Sequence, residues 1–72
     1  MFTKLRDKRL KKGYTNQNMA ERLGISKTFY YQIENEKRRL SYDMAVKIAD
    51  IFNVKPDALF YNDFMEQKRK EN

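Results

Sequence analysis

Lys27, Thr28, Phe29, Tyr31 and Gln32 follow Ser26 within a short helical pattern, on faces that a small core does not need. None of these side chains is a nucleophile with a base at a matching spacing. Their chemistry is recognition. Glutamine can engage adenine in a bidentate pair, lysine can donate to guanine O6 and N7, and threonine can hydrogen-bond or offer its methyl to thymine. A phenylalanine ring can also pack against a thymine methyl. The plain alternative is a solvated polar helix face. The chain around them carries 16 Lys+Arg against 10 Asp+Glu, a formal charge of +6 and a pI near 9.7. That balance fits a polyanionic partner: DNA, RNA or an acidic membrane surface.

Composition excludes much else. The 72 residues suit one domain, which would bury only ~60% of its unfolded surface. With no Cys and no His, the usual zinc ligands and the commonest general base are missing. No carboxylate stands beside a Gly-rich loop or a second carboxylate in a catalytic arrangement, so an enzyme is not expected. No metal, cofactor or small-molecule ligand is expected either. No apolar run approaches the ~20 residues that span a bilayer, and no signal-peptide core follows Met1. The expected location is the cytoplasm, at the nucleoid.

The elements that must position these side chains are helices. Five are expected, with no strand, giving an all-α class. The first runs from Thr3 to Lys12, with Leu5 and Arg9 on one face, Leu10 beside them and Gly13 as its stop. Thr15 caps the second, whose Met19, Ala20 and Leu23 turn inward, and Gly24 breaks it. Ser26 caps the third, which carries Tyr30 and Ile33 inward and ends near Asn35. A basic loop from Glu36 to Leu40 leads to Ser41, the cap of a fourth helix. Its apolar stripe is Met44, Ala45, Ile48, Ala49 and Phe52, and Asn53 ends it. Pro56 opens a short fifth helix with Leu59 and Phe60. One domain over residues 1–65 is expected, with a charged tail at 66–72 that frays.

Two short capped helices around Leu23-Gly24-Ile25 make a helix-turn-helix, whose second helix can enter a major groove. A-form RNA is a poorer target, because its major groove is too narrow for a helix. From Leu5 to Phe60 the chain resembles the lambda-repressor-like, Cro/C1-type helix-turn-helix family. The matching stretches are LRDKRLKKGYT, MAERLGIS, IENEKR, AVKIADIFNV and PDALF, in that order. Three positions depart from the family pattern. Asn16 stands where many relatives have Gln, Glu36 replaces a common Gly, and Tyr30 fills a core position that is usually smaller and β-branched.

The resemblance implies five packed helices, DNA binding through helix 3 and, frequently, a two-fold dimer on a pseudo-palindromic operator. It places Lys27, Thr28, Phe29 and Gln32 at base edges. Asn16, Lys37, Arg38 and Arg39 are the expected phosphate contacts, with the helix N-termini at Thr15 and Ser41 adding oriented N–H groups. Arg9 and Glu34 match positions that pair in relatives, so a partly buried ion pair of 4 Å or less is expected there.

Leu59, Phe60, Tyr61, Phe64 and Met65 exceed what one short helix must bury. They either fold back on the core or form a self-complementary patch for a homodimer, and the dimer is the expectation. Together these readings point to a sequence-specific, double-stranded-DNA-binding transcriptional regulator, most simply a repressor. The alternative is a small helical protein-interaction module whose DNA affinity is non-specific.

Overall fold

Side-chain caps begin three of the helices, and left-handed residues end four. The computed structural model describes residues 1–61. It has α1 at Thr3–Lys12, α2 at Asn16–Leu23, α3 at Lys27–Glu34 and α4 at Tyr42–Ile51. Residues 56–61 are also helical and form α5, and no strand occurs among the described residues. The Ser26 hydroxyl accepts from Phe29 N–H at 3.0 Å, and Ser41 accepts from Met44 N–H at 3.1 Å. Thr15 does more. Its hydroxyl accepts from Asn18 N–H while its own N–H donates to Asn18 Oδ1, both at 3.0 Å, which closes a capping box.

One closure recurs at the C-termini of α1 to α4. The N–H of a left-handed residue bonds a carbonyl three positions back, and the next N–H bonds one five positions back. Gly13, Gly24, Glu36 and Asn53 fill the left-handed position, with φ of 73°, 70°, 58° and 56°. The residues after them, Tyr14, Ile25, Lys37 and Val54, make the longer bond. Tyr14, Ile25 and Val54 then pack on the core, so each turn also aims an apolar side chain inward. At Gly24 an added Cβ would meet nothing within 4 Å, so its requirement is backbone conformation and not space. The departure at Glu36 therefore leaves the family's turn in place, with a side chain in the strained region.

The core joins all five helices. Phe2, Leu5, Met19, Ala20, Tyr30, Ile33, Ala45, Ile48, Ala49, Phe52, Leu59 and Phe60 are buried. Phe2 meets Phe60 edge-on at 5.0 Å between ring centroids, linking the start of α1 to α5. Tyr14 lies between Phe52, 6.3 Å away, and the Arg22 guanidinium, 4.4 Å from its ring. Leu10 is turned out and exposed. At about 100° per residue it stands ~140° from Leu5, too far round to share its face.

The apolar C-terminal patch needs correcting. Leu59 and Phe60 are 2% and 0% exposed, so they complete the protomer's own core and offer no side-chain surface to a partner. The cause is the thin core, which α5 must close. Tyr61 is exposed, whereas Phe64 and Met65, like the tail at 66–72, lie outside the described residues.

One ion pair crosses this core. Arg9 Nε donates to Glu34 Oε1 and Oε2 at 3.1 and 3.2 Å, and Arg9 Nη1 donates to the Tyr14 carbonyl at 2.9 Å. The two side chains are 12% and 3% exposed. Phe2 N–H bonds the Glu34 carbonyl at 2.9 Å, and the Met1 amino group pairs with the Glu36 carboxylate. The Tyr30 hydroxyl is buried without a hydrogen bond to the described residues. Burial pushes its pKa far up, Glu34 adds to this, and Arg9 opposes it, so the phenol stays protonated.

Two outcomes are expected from denaturant unfolding. Arg9→Met or Glu34→Leu alone should lower stability by ~3–5 kcal/mol, while the double variant should lose less than the sum. Single losses under ~1 kcal/mol would mean the pair is open in solution. Glu36→Gly should hold or raise stability by up to ~1 kcal/mol by relieving the left-handed strain, whereas Glu36→Val should lower it by more than ~1 kcal/mol. Equal effects of the two would contradict the turn.

Candidate nucleic-acid interface

The helix-turn-helix corner sets which side of α3 is free. Ala20 is fully buried at the junction, and Ile25 N–H reaches back to the Ala20 carbonyl at 3.0 Å. A methyl side chain there lets α3 pack closely on α2. On α3 the buried residues are Tyr30, Ile33 and Glu34. At about 100° per residue, Thr28 and Gln32 stand on the opposite side of the helix, with Lys27 and Tyr31 on one flank and Phe29 on the other. Lys27, Thr28 and Tyr31 are exposed, while Gln32 and Phe29 are partly buried. These side chains form one surface of donors, acceptors and aromatic rings.

Phe29 is partly buried. It packs against the periphery of the core, and the Arg38 guanidinium lies over its ring at 4.4 Å. Arg38 Nε also donates to Gln32 Oε1 at 3.1 Å. The turn at Glu36 brings Arg38 there, because Lys37 N–H bonds the Gln32 carbonyl at 2.7 Å and folds the chain back along α3. Arg38 thus stands with the α3 side chains, apart from its sequence neighbours. Lys37, Arg38 and Arg39 are all exposed, but only Arg38 is held against α3.

The helix N-termini are unequal as anion sites. At α2 the Thr15 N–H is taken by Asn18, so the N–H groups of Asn16 and Gln17 are the donors that remain. Asn16 Oδ1 is buried without a partner among the described residues. With its carbonyl turned inward, its amide nitrogen is the group left to donate. At α4 the first turn contains Asp43, whose carboxylate suits the helix dipole but opposes a phosphate beside Ser41.

Two features of this surface escaped the sequence reading. Asn18 gave a partial signal, standing three residues after a threonine cap where Glu or Gln is usual. The folding of Arg38 back onto α3 had none, since it depends on a left-handed glutamate.

No helix among the described residues is long and apolar enough to cross a membrane, and they hold no cluster of three or more His, Cys, Asp or Glu suited to a metal ion.

Comparison with known proteins agrees with the geometry. A helix-turn-helix family model matches residues 5–59. An uncharacterized HTH-type transcriptional regulator of Archaeoglobus fulgidus is 33% identical over 63 residues, covering 88% of this chain and 90% of that one. A second such regulator from the same organism is 32% identical over 63 residues, covering 88% and 89%. The HTH-type transcriptional regulator ImmR of Bacillus subtilis is 30% identical over 67 residues, covering 93% of this chain but only 53% of its own length. With the corner, its caps and its exposed recognition face in place, the chain belongs to the Cro/C1-type helix-turn-helix family of DNA-binding transcriptional regulators.

Proposed function

We propose that the protein is a sequence-specific regulator that binds duplex DNA with α3 in the major groove, most simply a repressor that occupies a promoter. The observation that carries this reading is the Thr28–Gln32 stripe opposite the buried side of α3, flanked by Lys27 and Phe29. Lys27, Thr28, Phe29 and Gln32 read base edges, with Phe29 offering its ring edge to a thymine methyl. Asn16, the N–H groups of Asn16 and Gln17 that remain at the α2 N-terminus beside Thr15, Lys37 and Arg39 hold phosphates, and Ser41 is the weakest of the set because of Asp43. The protein acts at the nucleoid in the cytoplasm.

The reading includes a homodimer on a pseudo-palindromic operator, with two α3 helices ~34 Å apart. Support for the dimer is narrower: the family resemblance and the exposed Tyr61 ring.

Selection from a random duplex pool should enrich one operator, bound at least ~10³-fold tighter than random DNA at physiological salt. Equal binding of all sequences would instead favour a protein-interaction module with incidental DNA affinity. Sedimentation at micromolar concentration should show a dimer, free or on the operator. A monomer in both states would remove the two-fold model. Lys37→Ala and Arg39→Ala should each weaken operator and random DNA by the same factor and lower the salt slope by ~1. A loss confined to the operator would reassign that residue to base reading.

A further inference from the structure

Arg38 is exposed, yet two contacts hold its side chain against α3. Its guanidinium lies 4.4 Å over the Phe29 ring, and its Nε donates to Gln32 Oε1 at 3.1 Å. Phe29 and Gln32 are three residues apart and so lie close together on the surface of α3. The ring contact and the hydrogen bond together anchor the guanidinium at two points on α3. The chain delivers it there through the left-handed Glu36, whose φ is 58°.

The contact also orients the glutamine. Arginine has donors and no acceptor, so the atom facing it must be the Gln32 carbonyl oxygen and not the amide nitrogen. The Nε2 amino group is then turned away from Arg38. A free glutamine can pair with adenine by accepting from N6 and donating to N7. A glutamine whose oxygen is held by arginine has one of that oxygen's two lone pairs engaged, while both Nε2 hydrogens remain to donate. The unoccupied Nη groups of Arg38 add more hydrogens beside them. The paired unit is richer in donors than in acceptors, and in the major groove the base with two adjacent acceptors is guanine, through O6 and N7.

We propose that Arg38 is a specificity-determining residue, which with Gln32 and the Phe29 platform forms a donor-rich unit that favours guanine where Gln32 alone would favour adenine. The inference rests on α3 entering the major groove. Phe29 keeps its free edge for a neighbouring base, while one of its faces serves Arg38.

The test is selection from a random duplex pool by the wild type and by Arg38→Ala, Arg38→Lys and Gln32→Ala, with circular dichroism to establish that each variant is folded. The wild type should enrich guanine at one position of each site. Arg38→Ala should move that position toward adenine, changing the guanine-to-adenine preference by about tenfold or more. Arg38→Lys should do the same while keeping the wild-type salt slope, because it retains the charge but not the planar guanidinium. Gln32→Ala should weaken preference at that same position.

A consensus unchanged by Arg38→Ala, with operator and random DNA weakened alike and the salt slope lowered by ~1, would make Arg38 a phosphate contact and overturn the proposal alone. Adenine enrichment by the wild type at the position that Gln32→Ala relaxes would also overturn it. A wild type that enriches no sequence would overturn it together with the groove-reading function.

Discussion

Glu34 carries the constraint on which the rest depends. Its carboxylate is the only charged side chain classed as buried among the described residues, and a buried charge without a partner is severely unfavourable. Arg9 supplies the partner from α1, and its second donor fixes the turn between α1 and α2 through the Tyr14 carbonyl. The Glu34 backbone carbonyl is held as well, by Phe2 N–H. The C-terminal end of α3 is therefore fastened by both side chain and main chain. Once that end is fixed with Tyr30 and Ile33 inward, Thr28 and Gln32 have no direction left but outward. Such a pair adds little net stability over an apolar pair of the same shape. What it adds here is orientation: α3 cannot roll without exposing an apolar face and stranding a charge.

Short helices make the caps equally necessary. An isolated helix of eight residues, the length of α2 and of α3, is not stable in water. Each is held by packing and by defined ends: Thr15 with Asn18 and Gly24 for α2, Ser26 and Glu36 for α3. The left-handed residues do two things at once. They satisfy terminal carbonyls, and they reverse the chain within two residues so that the following side chain lands on the core. Where that following residue is Lys37, the turn serves the surface instead and carries Arg38 onto α3.

Most of the fold was legible in the sequence because its signals are local. Serine and threonine caps, glycine stops and the Met44–Phe52 stripe mark helix ends and faces within a few residues of each other. Leu59 and Phe60 were read as a partner surface because their burial depends on α5 reaching Phe2, a contact between the two ends of the described chain. Leu10 was set beside the face of Leu5 and Arg9, although it stands too far round from Leu5 to share it and is exposed. At the interface, the exposure of Lys27 and Thr28 followed from helix period. The position of Arg38 did not, since no spacing rule brings a loop arginine back six residues onto a helix unless the turn between them is known.

The resulting view is of a small frame whose buried side is specified more tightly than its exposed one. Core, ion pair and caps fix the axis and roll of α3, and its outward side chains then form one pattern, the surface proposed to meet the major groove. The most direct test is a titration of the isotope-labelled protein with its selected operator, followed by NMR of backbone amides and of the Gln32 and Asn16 side-chain amides. The largest shifts are expected along Lys27–Gln32 and at the N-terminus of α2, with the exposed face of α1 near Leu10 and Lys11 unmoved. Shifts concentrated on α1, with α3 unchanged, would contradict the account.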